Sequence, residues 1–154
     1  MYKKTITLTI AFLSLLGLNL KNSFADDLIM ARSTEAFPET MLSLQNVIKE
    51  QGYKPSRVQR VDIGLTKSGY KTDKYRVVFF GKSEEIKSVS QQLPALIPYL
   101  PLKISIFAEA EQTIIVTLNP ITFDKMYPDS NLTPVFKRWA EDINIMFKKL
   151  QSGN

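Results

Sequence analysis

The residues of this chain that could carry out chemistry are its carboxylates and hydroxyls, because none of its 154 residues is a cysteine or a histidine. Without cysteine there can be no disulfide, thiolate nucleophile or thiolate metal ligand. Without histidine there can be no Ser-His-Asp triad, histidine-bound zinc or histidine-ligated haem. The composition therefore predicts a protein with no cofactor and no metal site.

Three pairs of acidic residues lie close together in the sequence. They are Glu84-Glu85, Glu109 with Glu111, and Glu141-Asp142. A glycosidase needs two carboxylates across a cleft, with their pKa values driven apart. These pairs instead fall at a helix start, in a hairpin turn and on a polar helix face, where acids are normally solvated. We therefore expect no catalytic role for them.

Two further groups of side chains offer atoms that could take part in chemistry. Asp124, Asp129 and Asn131 offer oxygen ligands, and Ser83, Ser88 and Ser90 offer hydroxyls. The first group lacks the spacing and the glycine of an EF-hand loop. The serines have no histidine to activate them and no GxSxG elbow. A hydrolase that uses carboxylates and hydroxyls alone is thus the alternative to a non-enzymatic protein.

The distribution of charge is uneven over residues 54–76, where seven basic residues face two aspartates. The candidate contacts for an anionic partner are Arg57, Arg60, Lys67, Lys71, Lys74 and Arg76. The partner would be a lipid headgroup layer, a lipopolysaccharide or an acidic protein patch. The alternative is a solvated hairpin whose basic residues protect an edge strand from aggregation.

The first half of the chain contains a predicted strand, a helix and two further strands. Residues 28–31 are apolar and predict a strand. The helix begins at Phe37-Pro38, has apolar residues at helical spacing, and ends at Gly52. Val61, Ile63 and Leu65 alternate with polar residues and predict a second strand. Residues 67–74 form a polar turn, and residues 75–80 predict a strand that is apolar on both faces.

The second half is organised around a tight hairpin. Residues 102–108 and 113–118 are β-rich runs joined by an acidic turn at 109–112. A helix over residues 84–93, capped by Ser83, precedes it, and a loop at 121–132 with one helical turn follows. Thr133-Pro134 begins the last helix, to residue 151. The order β-α-β-β-α-β-β-α predicts an α+β fold in which helices pack on an antiparallel sheet.

Residues 1–25 are typical of an export signal. Lys3 and Lys4 precede an apolar run of about 15 residues, shorter than the ~20 that span a bilayer, and Ser23-Phe24-Ala25 fits the cleavage site. Cleavage would leave residues 26–154 as one domain without a transmembrane anchor, in the periplasm or secreted. Removing three lysines would lower the net charge from +5 to +2. That small excess argues against nucleic acid as a partner.

Several segments resemble the bacterial and archaeal domain-of-unknown-function family numbered 302. They are Phe37-Pro38-Glu39-Thr40 leading to Gly52-Tyr53, residues 77–81, Pro94 through Leu100-Pro101-Leu102-Lys103-Ile104, and Asn119-Pro120. The resemblance covers about residues 30–132. It implies a compact α+β domain of TBP-like arrangement that pairs as a homodimer, and it implies no reaction.

Two departures from that family's pattern bear on function. Gly81 is followed by Lys82-Ser83 where members often have Asn-Pro, and Lys125, Met126 and Tyr127 stand where many carry a histidine. These departures argue against an enzyme. We therefore expect an exported, non-enzymatic binding or interaction module, most simply a homodimer, with an anionic surface or a small apolar ligand as further partners.

Overall fold

The computed structural model describes residues 27–152, so the predicted export signal at residues 1–25 lies outside the described part of the chain. The strands are β1 (Leu28–Ser33), β2 (Lys54–Arg60), β3 (Tyr75–Gly81), β4 (Leu102–Glu109) and β5 (Gln112–Leu118). The helices are α1 (Phe37–Glu50), α2 (Val61–Lys67), α3 (Ser83–Gln92), α4 (Thr122–Met126) and α5 (Thr133–Ser152), with a 3-10 helix at Pro94–Tyr99. The predicted α+β class is confirmed.

The five strands form one sheet in the order β1-β5-β4-β3-β2, and every neighbouring pair is antiparallel. Side chains of alternate residues on a strand point to opposite faces. The residues on one face enter the hydrophobic core together with the buried residues of the helices. From the sheet these are Ala31, Val78, Phe80, Leu102, Ile104, Ile106 and Ile115. The protein is therefore a sheet with its helices packed on one side.

Helix α5 supplies much of the core. Its six predicted apolar residues are all buried, namely Phe136, Trp139, Ile143, Met146, Phe147 and Leu150. Burial of each such side chain contributes about 1.5–3 kcal/mol to folding. The periodic spacing that predicted this helix therefore corresponds to the side of the helix that contacts α1 and β1.

Helix α1 ends as its sequence predicts. Gly52 has a φ of +76°, in the left-handed region that favours glycine. The Tyr53 amide donates to the Ile48 carbonyl at 3.1 Å, and the Gly52 amide donates to the Lys49 carbonyl at 2.9 Å. This pattern satisfies carbonyls at the helix end and turns Tyr53 into the core.

The predicted hairpin is also confirmed. Glu109 pairs with Gln112, which leaves Ala110 and Glu111 as the turn, and Ala110 has a φ of +50°. The prolines before the hairpin end helix α3 and enclose the 3-10 helix. The hairpin therefore forms the two central strands beside β3 and β1.

Two local predictions are wrong. The segment predicted as a strand from Val61, Ile63 and Leu65 is helix α2, and the strand is the preceding Lys54–Arg60. Val61 and Leu65 are also one helical turn apart, so three alternating residues fit either structure. Ser83 does not cap α3 with its side chain, because the helix already begins at that residue.

The two edges of the sheet differ. The β2 edge contains Lys54, Pro55 and Arg57, and its register shifts between Pro55 and Arg57. Basic residues, proline and bulges are the devices by which edge strands avoid pairing with other chains. The β1 edge, Leu28–Ser33, has the sequence LIMARS and carries none of these devices except Arg32. Within residues 27–152, no helix combines the length and apolar character needed to span a bilayer.

Candidate interaction surfaces

The sheet face opposite the helices is lined by apolar side chains, and we call it the open face. Its exposed or partly exposed apolar residues are Leu28, Met30, Tyr75, Val77, Phe79, Phe107 and Val116, and Ile114 lies among them on the same face but is only 1% exposed. Each alternates along its strand with residues that face the helices, and none belongs to the hydrophobic core cluster. Among the described residues, the buried helix side chains all pack on the other face.

The open face is broad enough to be an association surface. Its apolar residues lie on four strands, β1, β5, β4 and β3, about 14 Å at the usual strand spacing, and extend about 14 Å along β3, so they cover roughly 200 Å². The largest apolar patch on a soluble monomer is about 300–600 Å² and often functional. Met30 is 53% exposed and lies near its β1 margin. The open face is somewhat smaller than such a patch, so it is a candidate for a weak binding site.

Charges on the open face are segregated. At one end the register aligns Arg57, Phe79 and Lys103 on neighbouring strands, so two cations flank an aromatic ring. Arg57 also donates to the Gln59 side-chain oxygen at 2.5 Å. At the other end Arg32 pairs with Glu109 at 2.8 Å. One end of the open face therefore carries two cations, and the other end carries the Arg32–Glu109 ion pair.

The six predicted anionic-partner residues do not lie on one surface. Arg57 is on the open face. Arg76 points to the helix side, where it forms an ion pair with Asp62 and lies 5.8 Å from the Phe37 ring centre. The hydrogen bond from Arg76 lowers the pKa of Asp62 below its ordinary value. Arg76 is thus engaged inside the fold.

The other four residues surround α2. We call residues 60–74 the α2 lobe, and it contains Arg60, Lys67, Lys71 and Lys74, all exposed. No residue of the lobe is buried. A shallow groove of about 440 Å³ separates α2 from the following loop. The structure therefore brings these four of the six candidates into one protruding segment.

Each of the three acidic pairs has one residue in a side-chain hydrogen bond and one residue exposed to solvent. Glu85, Glu109 and Asp142 each accept a hydrogen bond from another side chain, whereas Glu84, Glu111 and Glu141 are exposed. In residues 27–152, no three histidines, cysteines or acids are grouped so that they could hold a metal ion. In each pair, therefore, one acid has a structural contact and the other is solvated.

Polar contacts that tie α5 to α3 and to Tyr53, the residue after Gly52, were not predicted. Glu85 accepts a hydrogen bond from the Trp139 indole at 2.7 Å and forms an ion pair with Arg138. The Tyr53 hydroxyl donates to Asp142 at 2.6 Å. Burial, followed by this hydrogen bond, raises the pKa of Tyr53 well above its ordinary value. These partners lie 54 and 89 residues apart, so no local pattern reveals them.

The comparisons with known proteins decide the family. The sequence model of the family described as domain of unknown function DUF302 matches residues 29–150. The chain belongs to the DUF302 family. The resemblance predicted from its motifs is confirmed, and the match extends beyond those motifs through most of α5.

A solved DUF302 structure has the same fold. It is the crystal structure of an uncharacterized conserved DUF302 protein from Bacillus stearothermophilus, which superposes with a TM-score of 0.74. The match covers 80% of this chain and 98% of that one at 16% sequence identity, which shows a shared fold. No curated protein matches this chain in sequence.

Proposed function

We propose that this DUF302 protein is an exported, non-enzymatic binding module that associates through its open face, and that its first partner is a second copy of itself. The observation that supports the proposal is the apolar surface left uncovered by the described helices. The largest apolar patch on a soluble protein is often functional, and an interface is one such function. The hydrolase alternative would need two free carboxylates across a cleft, but Glu85, Glu109 and Asp142 are each engaged in structural contacts.

A second copy fits the open face because the face complements itself. Sheets pack face to face at about 10 Å, and a symmetric dimer places the same surface on both sides. A two-fold axis across the strands near Ser105 would set the Arg57 and Lys103 end of one copy over the Glu109 end of the other. The two cations of each copy would then lie over the Arg32–Glu109 ion pair of the other copy, at both margins of an apolar centre.

The size of the open face sets the expected strength of the dimer. Stable interfaces bury about 800 Å² per partner, and the open face offers less than that before its margins are counted. We therefore expect a dimer that dissociates in the micromolar range.

Sedimentation across that concentration range tests the dimer with matched variants. Met30→Lys places a charge on the open face, and Leu42→Lys places the same charge on an equally exposed residue of α1. We expect dimers for the unmodified protein and for Leu42→Lys, and monomers for Met30→Lys. A monomer mass throughout, or a Met30→Lys protein that still dimerises, would refute self-association through this face. Native mass spectrometry of the same samples would detect a small apolar ligand, the alternative occupant.

The proposal of export rests on residues 1–25, outside the described part of the chain. Cleavage after Ala25 would make Asp26 the first residue and place the protein in the periplasm or outside the cell. The intact mass of the protein recovered from the exported fraction tests this. A mass that retains residues 1–25, in the membrane fraction, would be incompatible with it.

A further inference from the structure

The α2 lobe lacks the packing that holds the rest of the chain together. No residue of the lobe is buried, and α2 contributes nothing to the hydrophobic core cluster. Two large apolar or aromatic side chains nevertheless project from it, because Ile63 is 36% exposed and Tyr70 is 65% exposed. Tyr70 in particular gains little from burial in the fold.

Positive charge surrounds the two exposed side chains. Arg60, Lys67 and Lys71 take part in no ion pair within the described residues. Lys74 is also exposed, and it lies 5.9 Å from the ring centre of Phe37. Of the two acids in the lobe, Asp62 is neutralised by Arg76. The lobe therefore presents four cations against one free carboxylate, that of Asp73.

We propose that the α2 lobe docks the protein on an anionic lipid membrane. Ile63 and Tyr70 would enter the headgroup layer, and Arg60, Lys67 and Lys71 would contact lipid phosphates. Segments that bind at the membrane interface combine apolar or aromatic side chains with lysine and arginine in this way. Tyrosine suits that layer because its ring is apolar and its hydroxyl is polar.

A membrane fits the lobe better than an acidic protein does. A protein partner is usually anchored by a side chain in a well-packed pocket. The groove beside α2 is instead shallow, and Ile63 is the single aliphatic residue among the charged and hydroxyl residues that line it. A lipid surface requires only exposed side chains and a favourable charge, and both are present. The docking surface is also separate from the open face, so it does not depend on dimerisation.

The structure predicts how strongly binding should depend on the lobe. Each basic residue near an anionic surface contributes about 1 kcal/mol, which corresponds to about a fivefold change in affinity. Replacing Arg60, Lys67 and Lys71 by glutamine should therefore weaken binding roughly a hundredfold. Replacing Ile63 and Tyr70 by serine should also weaken it, and should remove the binding that persists when salt screens the charges.

Vesicle flotation tests the proposal with the protein purified from cells that express the full sequence. An intact-mass measurement first establishes at which residue the purified chain begins. The probes are vesicles that contain phosphatidylglycerol and vesicles of phosphatidylcholine alone. The matched control replaces three exposed lysines outside the lobe, Lys49, Lys87 and Lys137, by glutamine. It makes the same change in net charge as the lobe variant. Circular dichroism checks that every variant is folded.

We expect binding to the anionic vesicles alone, the hundredfold loss in the lobe variant and a small loss in the control variant. A Tyr70→Trp reporter should shift its fluorescence to shorter wavelength on the anionic vesicles, because the ring enters the headgroup layer. Three results would overturn the proposal: no binding to anionic vesicles at low salt, equal losses in the two triple variants, or no spectral shift. Because the readout is vesicle binding, failure here leaves the sedimentation result for the open face unaffected.

Discussion

Glu85 should be more important for stability than its neighbour Glu84, although both are acids in the first turn of α3. Glu85 accepts a hydrogen bond from the Trp139 indole and pairs with Arg138, whereas Glu84 is exposed. The Trp139 side chain is 1% exposed, so its N–H has little access to water. Glu85→Ala therefore leaves the buried Trp139 N–H without its acceptor, whereas Glu84→Ala does not.

The expected difference can be worked out from these contacts. Both changes remove a favourable interaction with the helix dipole, which cancels in the comparison. Glu85→Ala also leaves the indole N–H of Trp139 without an acceptor, at a cost of about 1–3 kcal/mol. Loss of the ion pair adds less than about 1 kcal/mol, because the Arg138 side chain is 40% exposed. We therefore expect Glu85→Ala to cost about 2 kcal/mol more than Glu84→Ala.

Urea unfolding at one fixed protein concentration measures this difference. With a slope of about 2 kcal/mol per molar urea, the midpoint of Glu85→Ala should lie about 1 M below that of Glu84→Ala. Circular dichroism is the appropriate signal, because Trp139 is the only tryptophan of the chain and its own surroundings change. Glu85→Gln keeps an oxygen for the indole, so its midpoint should lie between the other two. Equal midpoints for the two alanine variants would refute the structural role of Glu85.

Three further predictions concern pH and backbone conformation. The pKa of Tyr53 is raised, so the folded protein holds this proton more tightly than the unfolded chain, and stability should be lost as pH rises above the ordinary value of 10.0. In thermal melts, Tyr53→Phe should lose less stability than the unmodified protein over that range, because it has no hydroxyl to ionise, and equal losses would contradict this. The pKa of Asp62 is lowered, so its contribution is present above the ordinary value of 3.8 and lost as pH falls. Asp62→Asn should thus be slightly less stable at neutral pH, and equal curves at pH 7 and in acid would contradict this. Gly52→Ala should lower the free energy of unfolding by about 1 kcal/mol, because the residue has a φ of +76°. Gly64→Ala lies in a helix with open space around it, and should raise the free energy of unfolding by about 0.5–1 kcal/mol. Similar melting temperatures for the two alanine variants would show that backbone strain is not the cause.

Elements with many buried residues could be predicted from the sequence. Helix α5 and the strands of the β4-β5 hairpin each place a repeated set of apolar residues on one face, so hydrophobic period and structure agree. The Gly52 helix end was equally predictable, because its φ value favours glycine. The open face was partly predictable as well: the run that became β3 is apolar on both faces, which is unusual for a solvated strand.

Elements with few buried residues could not be predicted. Strand β2 has the sequence KPSRVQR with no buried residue, and the apolar residues of α2 are not buried, so their alternation does not indicate the structure. Their structure follows from pairing with β3, which is a tertiary interaction. The same limit applies to the candidate sites. The basic residues formed one run in sequence, but strand alternation placed Arg57 on the open face, and the ion pair with Asp62 engaged Arg76, so only four of the six are exposed in the lobe.

The unequal edges of the sheet limit how far copies of this protein can join by strand pairing. Fibrils grow without end because each added chain supplies a fresh edge for the next one. Here the β2 edge is interrupted by Pro55 and a register shift, so it offers no even ladder of hydrogen bonds. If the β1 strands of two chains pair, neither β1 edge remains free, and only the two interrupted β2 edges are left at the outside. Growth by this route therefore stops at two chains, even though β1 is apolar and unprotected.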